Sequence, residues 1–144
     1  MTDIDPQNEA TYCECRFSSC LGGLRAPQED ILRRAAECGF SEQEVFAIKL
    51  ALEEAFSNAV KHGNCCDPKK DVTVRYAVTP ETLVVIVRDE GTGFTPAEVP
   101  DPTAPDRLSV PSGRGIMLLR AYMDEVEYRD NGREVRFAKH RSKP

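Results

Sequence analysis

A carboxylate, an amide and an ammonium group share one side of a long predicted helix. With Leu52 placed at zero and about 100° added per residue, Glu54, Asn58 and Lys61 fall together at about 180–240°. The apolar residues of this segment lie within about 60° of Leu52 and predict the buried face: Val45, Ile48, Ala55, Phe56 and Ala59. A solvated surface is the ordinary interpretation of a polar side. Two features favour a site instead: asparagine is a poor helix former, and small or apolar residues flank the trio, namely Ala47, Leu50 and Ala51.

A second group of candidates follows an apolar run. Residues 83–87 read Leu-Val-Val-Ile-Val, which predicts a strand buried on both faces, and Asp89, Gly91 and Gly93 come directly after it. A carboxylate at the end of such a strand accepts hydrogen bonds from amino groups, such as that of adenine. Glycine lets a ligand approach the backbone closely. Taken alone, the pattern D-x-G-x-G more often marks a simple strand-to-loop turn.

A third candidate is a glycine pair that opens a helix. Gly113, Arg114 and Gly115 precede Ile116 and the apolar residues that follow it. A helix N-terminus exposes unpaired N–H groups and the positive end of the helix dipole, and both suit phosphate. A turn followed by a helix cap is the alternative interpretation of this short pattern.

The surrounding patterns predict the elements that position these groups. Helical spacing predicts helices over 27–38 and from Ser41 to about His62, the second opened by the capping box Ser41-Glu-Gln-Glu44. Strands are predicted over 12–18, 72–78, 83–87, 125–129 and 134–139. Asp130-Asn131-Gly132 predicts a hairpin turn between the last two. Residues 95–112 contain five of the ten prolines, which predicts a long loop.

The order of these elements predicts an α+β domain. We expect a two-layer sandwich of a mostly antiparallel sheet with helices on one face. The predicted organisation is a loose N-terminus over 1–11 and a single domain over 12–144.

Composition excludes several classes of function. The chain has 144 residues and a net charge of −5, which argues against nucleic-acid binding by charge alone and against a polybasic membrane anchor. No apolar run approaches the roughly 20 residues of a membrane-spanning helix, and the acidic start is unlike a secretory signal, so a cytoplasmic location is expected. The six cysteines lack the usual spacing of zinc ligands and are interpreted mainly as small apolar residues, with a metal or redox protein as the distant alternative.

Taken in order, the motifs resemble a known superfamily. The series E-x-x-x-N-A-x-K-H-G, strand-D-x-G-x-G-F, a loop and G-x-G-I at a helix start is similar to the GHKL ATPases. Within that superfamily the chain most resembles the anti-sigma factor serine/threonine-protein kinases of bacteria. The likeness spans roughly residues 12–140 and is especially close over 115–126, Gly-Ile-Met-Leu-Leu-Arg-Ala-Tyr-Met-Asp-Glu-Val. The resemblance implies the GHKL, or Bergerat, ATP-binding fold.

The resemblance also implies roles for individual residues. Asn58 would ligate Mg²⁺, and Glu54, one turn earlier, would be the general base. Asp89 would accept the adenine amino group, and Gly91 and Gly93 would shape that pocket. The phosphates would be held by Gly113, Arg114 and Gly115, under a lid formed by residues 95–112. Lys61 would reach a phosphate or would be an ordinary surface lysine.

Two hypotheses follow for the function. The first is an anti-sigma factor that uses ATP to phosphorylate a serine or threonine of a small anti-sigma antagonist and so regulates transcription by partner switching. The second is an ATP-binding partner-switching module with little or no kinase activity. A homodimer is suggested by the family alone. Relatives commonly carry threonine near adenine in the final strand, where this chain has Arg133-Glu134-Val135-Arg136.

Overall fold

The sheet has five strands, and every neighbouring pair in it is antiparallel. The computed structural model describes residues 5–18, 23, 25–64, 67, 69–91 and 119–142. The strands are β1 (Cys13–Ser18), β2 (Asp71–Val78), β3 (Thr82–Arg88), β4 (Glu125–Arg129) and β5 (Glu134–His140). Their order across the sheet is β1-β2-β3-β5-β4, so β3 lies at the centre. All five predicted strands are confirmed to within one or two residues, and so is the α+β class.

Two helices cover one face of this sheet. Helix α1 spans Arg25–Glu37 and α2 spans Glu42–Ser57. They are separated by Gly39, whose φ of 94° suits glycine and reverses the chain after α1. The predicted capping box is present, because the Ser41 hydroxyl accepts the Glu44 N–H at 3.1 Å and the Glu44 carboxylate accepts the Ser41 N–H at 2.8 Å.

The predicted single helix to His62 changes type before it ends. The α-helix stops at Ser57, and residues Asn58–Gly63 form a π-helical turn. Its last bond runs from the Asn64 N–H to the Ala59 carbonyl at 2.9 Å, five residues back. A π turn holds more residues than an α turn, so angles counted at 100° per residue do not extend past Asn58. The α-helical expectation is therefore corrected for residues 58–63.

The main core lies between the helices and the sheet. Ile48, Leu52, Ala55, Phe56 and Ala59 are buried, and this confirms the apolar face predicted for α2. They meet alternate residues of the strands, among which Val85 and Phe137 are fully buried. Residues 83–87 of β3 are buried on both faces, as predicted for a central strand.

The other face of the sheet is partly covered by the N-terminal segment. Tyr12 packs there in a small cluster with Ala77, Val84, Ile86 and Ala138. Its hydroxyl donates to the Pro6 carbonyl at 2.5 Å, and Glu9 forms ion pairs with Arg75 at 3.4 Å and Arg129 at 3.2 Å. Glu9, in the segment expected to be loose, thus has defined contacts with β2 and β4.

The β4–β5 turn has the backbone that its sequence predicts. Asp130, Asn131 and Gly132 have φ values of 53°, 55° and 84°. Successive positive φ values match the right-handed twist of a hairpin and are tolerated best by asparagine, aspartate and glycine. Within the described ranges, no helix has the length and apolar character needed to cross a membrane.

Candidate functional site

The first part of the site is the side of α2 that carries Glu54. Glu54 is half-buried in the last turn of the α-helix, and Asn58, also half-buried, begins the π turn. Residues four apart in a helix lie about 5–6 Å apart at their Cβ atoms, so the carboxylate and the carboxamide are neighbours. Ala47 and Ala51, on the same side one or two turns earlier, are 9% and 1% exposed. This side of α2 is therefore not an ordinary solvated surface.

Lys61 lies within the π turn and is exposed. The change of helix type separates it from the angular pattern that placed it beside Glu54 and Asn58. Its two interpretations, a phosphate contact or a surface lysine, both stay open.

The second part of the site is Asp89, which follows the buried strand β3. Asp89 is 8% exposed and, with Asn64, is one of two polar residues buried within the described ranges. One of its oxygens, Oδ1, accepts the Gly91 N–H at 2.8 Å, and its own N–H donates to the Arg133 carbonyl at 2.9 Å. In the part of the chain that the structure describes, its second oxygen has no hydrogen-bond partner. The carboxylate is thus held in place through Oδ1, and among the described residues Oδ2 remains available as an acceptor.

The pKa of the Asp89 carboxyl reflects its burial. Burial raises the pKa of the Asp89 carboxyl above its ordinary value of 3.8, because a poorly solvated site disfavours the charged form. The Gly91 N–H and the nearby guanidinium groups of Arg133 and Arg88 act in the opposite direction. A charged acceptor in such a site forms strong hydrogen bonds to an amino donor.

Arg133 contacts the backbone close to Asp89. Its Nε donates to the Gly91 carbonyl at 2.7 Å, and its terminal nitrogen lies 3.3 Å from Asp130. This arginine occupies the region where relatives commonly carry threonine. From the sequence it was recognised as a departure from that pattern, whereas its contact with Gly91 depends on the fold.

Asn64 links the end of the π turn to the segment after Asp89, whereas its sequence pattern predicted only that it ends the helix. It is 0% exposed, and its side chain joins the start of β2 to the segment after Asp89. The signal available in the sequence was an asparagine beside glycine at a helix end, which ordinarily marks a cap.

The remaining candidates lie outside the described residues. These are Gly93, Gly113, Arg114, Gly115 and the expected lid over 95–112. Among the described residues, Glu54 and Asn58 are neighbours, Asp89 is bonded to Gly91, and Asn64 at the end of the π turn is bonded to Glu90, which lies between Asp89 and Gly91 in the chain.

Comparison with known proteins places this geometry in a family. The family described as "Histidine kinase-like ATPase domain" matches residues 22–139, a span that includes α1, α2, Asp89 and the strands β2 to β5 except for His140, but not β1. The chain belongs to the histidine kinase-like ATPase family. This confirms the superfamily recognised from the three motifs.

Individual relatives show how far the sequence similarity extends. Serine-protein kinase RsbW of Bacillus subtilis (strain 168) is 33% identical over 135 residues, which cover 87% of this chain and 82% of the relative. The protein of the same name from Listeria monocytogenes serotype 4a (strain HCC23) is 32% identical over 116 residues, 74% of this chain and 72% of the relative. That of Bacillus licheniformis is 33% identical over 113 residues, with coverages of 73% and 70%. The similarity thus extends over most of both chains.

Proposed function

We propose that this protein is an ATP-dependent serine/threonine-protein kinase of the anti-sigma type. The observation that carries the proposal is the buried Asp89 carboxylate, held through one oxygen by the Gly91 N–H, in a chain that also places the half-buried Glu54 and Asn58 one helical turn apart. The names of the relatives from Bacillus subtilis and Bacillus licheniformis support the kinase activity. Its proposed substrates are ATP and a serine or threonine of a small anti-sigma antagonist. In the absence of that antagonist we propose that the protein holds a sigma factor, which places it in the cytoplasm as a transcription regulator.

Recognition of the nucleotide is assigned to the Asp89 segment. The Oδ2 atom of Asp89 accepts the adenine amino group. Gly91, held by Arg133 from one side and by Asp89 from the other, keeps the backbone close to the base. We extend the pocket to Gly93, and the phosphate-binding role to Gly113, Arg114 and Gly115, on the basis of the motif alone.

The donor set around Asn58 suits Mg²⁺. Carboxamide and carboxylate oxygens are the protein ligands that this ion prefers, and Mg²⁺ usually keeps additional water and phosphate ligands. The Asn58 oxygen is the proposed ligand. When bound there, the ion neutralises charge on the ATP phosphates.

Proton transfer is assigned to Glu54. Its half-buried carboxylate lies one helical turn before Asn58, and therefore near the γ-phosphate of a nucleotide held by that residue. There it accepts the proton of the attacking serine hydroxyl as the oxygen–phosphorus bond forms and ADP leaves.

The proposal is tested by the adjacent pair Glu53 and Glu54. Both are glutamates of α2, but Glu53 is exposed and lies about 100° away around the helix. With labelled ATP and the cognate antagonist, Glu54→Gln is expected to lower phosphate transfer by roughly 10²–10⁴-fold, while Glu53→Gln changes it little. Both variants are expected to bind ATP.

The same transfer assay, combined with a sigma-factor binding assay, distinguishes the two candidate functions. Transfer that continues unchanged in Glu54→Gln would refute the role of Glu54 as the base. ATP-dependent capture of a sigma factor without measurable transfer in the wild type would favour the partner-switching module instead.

A further inference from the structure

Each of the four polar atoms of Asn64 forms a hydrogen bond, and together these bonds join three segments of the chain. Its side-chain Nδ2 donates to the Asp71 carbonyl at 2.9 Å, and its Oδ1 accepts the Glu90 N–H at 2.7 Å. Its backbone N–H closes the π turn on Ala59, and its carbonyl accepts from Asp67 at 3.0 Å. Fully buried polar groups are costly unless they are paired, so a buried side chain with a partner at both of its polar atoms favours a specific arrangement.

A third bond closes this arrangement. The Asp71 N–H donates to Glu90 Oε2 at 2.5 Å, so Asn64, Asp71 and Glu90 are each bonded to the other two. We call these three residues the Asn64 triangle. Arg16 of β1 lies on its exposed side, 2.9 Å from Asp71 and 3.6 Å from Glu90.

The position of the Asn64 triangle relates it to both parts of the site. Asn64 ends the π turn that begins at Asn58, and Glu90 directly follows Asp89. A helix cap would need only the backbone groups of Asn64. Its side chain instead extends away from the helix, toward the strands that carry the adenine-binding segment.

We propose that Asn64 is a positioning residue, which sets the spacing between the Mg²⁺ and phosphate end of the site at Asn58 and the adenine end at Asp89. This inference rests on the proposed function, because the spacing matters only to a ligand that spans both ends. Adenosine needs the adenine end alone, whereas MgATP needs both ends at the correct separation. Loss of the Asn64 side chain therefore weakens MgATP binding much more than adenosine binding.

The experiment measures the affinities of adenosine and MgATP by calorimetry in the wild type and three variants. Asn64→Ala is expected to weaken MgATP binding at least tenfold and adenosine binding less than threefold. Glu90→Ala removes only one bond of the triangle, from a residue whose side chain is 47% exposed, so it avoids a buried cavity. It is expected to weaken MgATP binding about threefold and to leave adenosine binding nearly unchanged, and it tests the idea even if Asn64→Ala does not fold.

Thr79→Ala is the matched control. The Thr79 hydroxyl also ties backbone groups together, accepting from the Thr82 N–H at 3.1 Å, but at the opposite end of the β2–β3 hairpin. It is expected to change neither affinity. Equal losses of both ligands in Asn64→Ala, or no loss of either, would overturn the spacing role. A wild-type protein that binds neither ligand would instead overturn the proposed function itself.

Discussion

Replacement of Asp89 by asparagine is expected to stabilise the nucleotide-free protein and to abolish nucleotide binding. Burial raises the pKa of this carboxyl above 3.8, so the folded protein holds the proton more tightly than the unfolded chain does. Its ionisation therefore lowers the stability of the fold as the pH rises from about 4 through the folded-state pKa. Asparagine carries no charge, and its carbonyl oxygen can still accept the Gly91 N–H.

The stabilisation expected from Asp89→Asn can be compared with the stabilisation that bound ATP gives the wild type. Single stabilising substitutions commonly add about 0.5–2 kcal/mol to the free energy of unfolding, and we expect Asp89→Asn to fall in that range. For 144 residues the entropy of unfolding is about 0.3 kcal/mol/K, so 1 kcal/mol corresponds to about 3 °C in Tm. ATP at 100 times its Kd stabilises the wild type by about 2.7 kcal/mol, or about 9 °C, and leaves a variant that does not bind unchanged. The order of the two melting temperatures is therefore expected to reverse when ATP is added.

Thermal unfolding with and without MgATP measures both effects. At pH 7 without nucleotide, Asp89→Asn should melt above the wild type, and the difference should shrink as the pH is lowered toward 4. Glu81→Gln, which changes an exposed carboxylate at the far end of β3, is the control and should follow the wild type. A variant that melts lower at pH 7 would refute the argument from burial. An undiminished ATP shift in Asp89→Asn would refute its role in recognising adenine.

Three further predictions concern the scaffold that positions the site. Ser41→Ala removes the capping box and should lower the free energy of unfolding by about 1 kcal/mol in urea titrations, with ATP affinity unchanged; an unchanged urea midpoint would contradict this. Leu52→Ala empties a fully buried position and should cost about 2–5 kcal/mol by the same measurement, whereas a loss below 1 kcal/mol would show that the core closes over the gap. Tyr76→Phe removes a hydroxyl that donates to Asp30, and should cost about 1.5 kcal/mol at pH 7. Burial acts to raise the pKa of Asp30, but hydrogen bonds from Tyr76 and two arginines hold it below 3.8. The stabilisation by the Tyr76 hydroxyl should therefore fade as the pH falls below about 4. A loss of stability in Tyr76→Phe that does not depend on pH would contradict the assignment.

Local patterns in the sequence predicted the elements well. The capping box, the apolar face of α2 and the alternation along the strands each depend on residues that lie within a few positions of one another. The Asp130-Asn131-Gly132 turn is likewise a local preference, because it follows from which residues tolerate positive φ. The candidate residues Glu54, Asn58 and Asp89 were found because the spacing of their motifs is also local.

The change from α to π geometry at Asn58 was not predictable in this way. The two helix types differ by one residue per hydrogen-bonded turn, and a six-residue segment is too short for its apolar pattern to distinguish them. We infer that the wide turn is selected by its end, where Asn64 is bonded to Asp71 and Glu90. Those partners lie 7 and 26 residues further along the chain.

The sequence by itself thus determined the class of fold, the boundaries of most elements and the chemistry available at the site. The tertiary structure decided the strand order β1-β2-β3-β5-β4, the burial of Asp89, and the contacts of Asn64 and Arg133. The physical reason is the separation along the chain between the residues that interact. Periodicity and capping act between near neighbours, whereas the contact from Arg133 to Gly91 joins residues 42 positions apart and exists only once the sheet has formed.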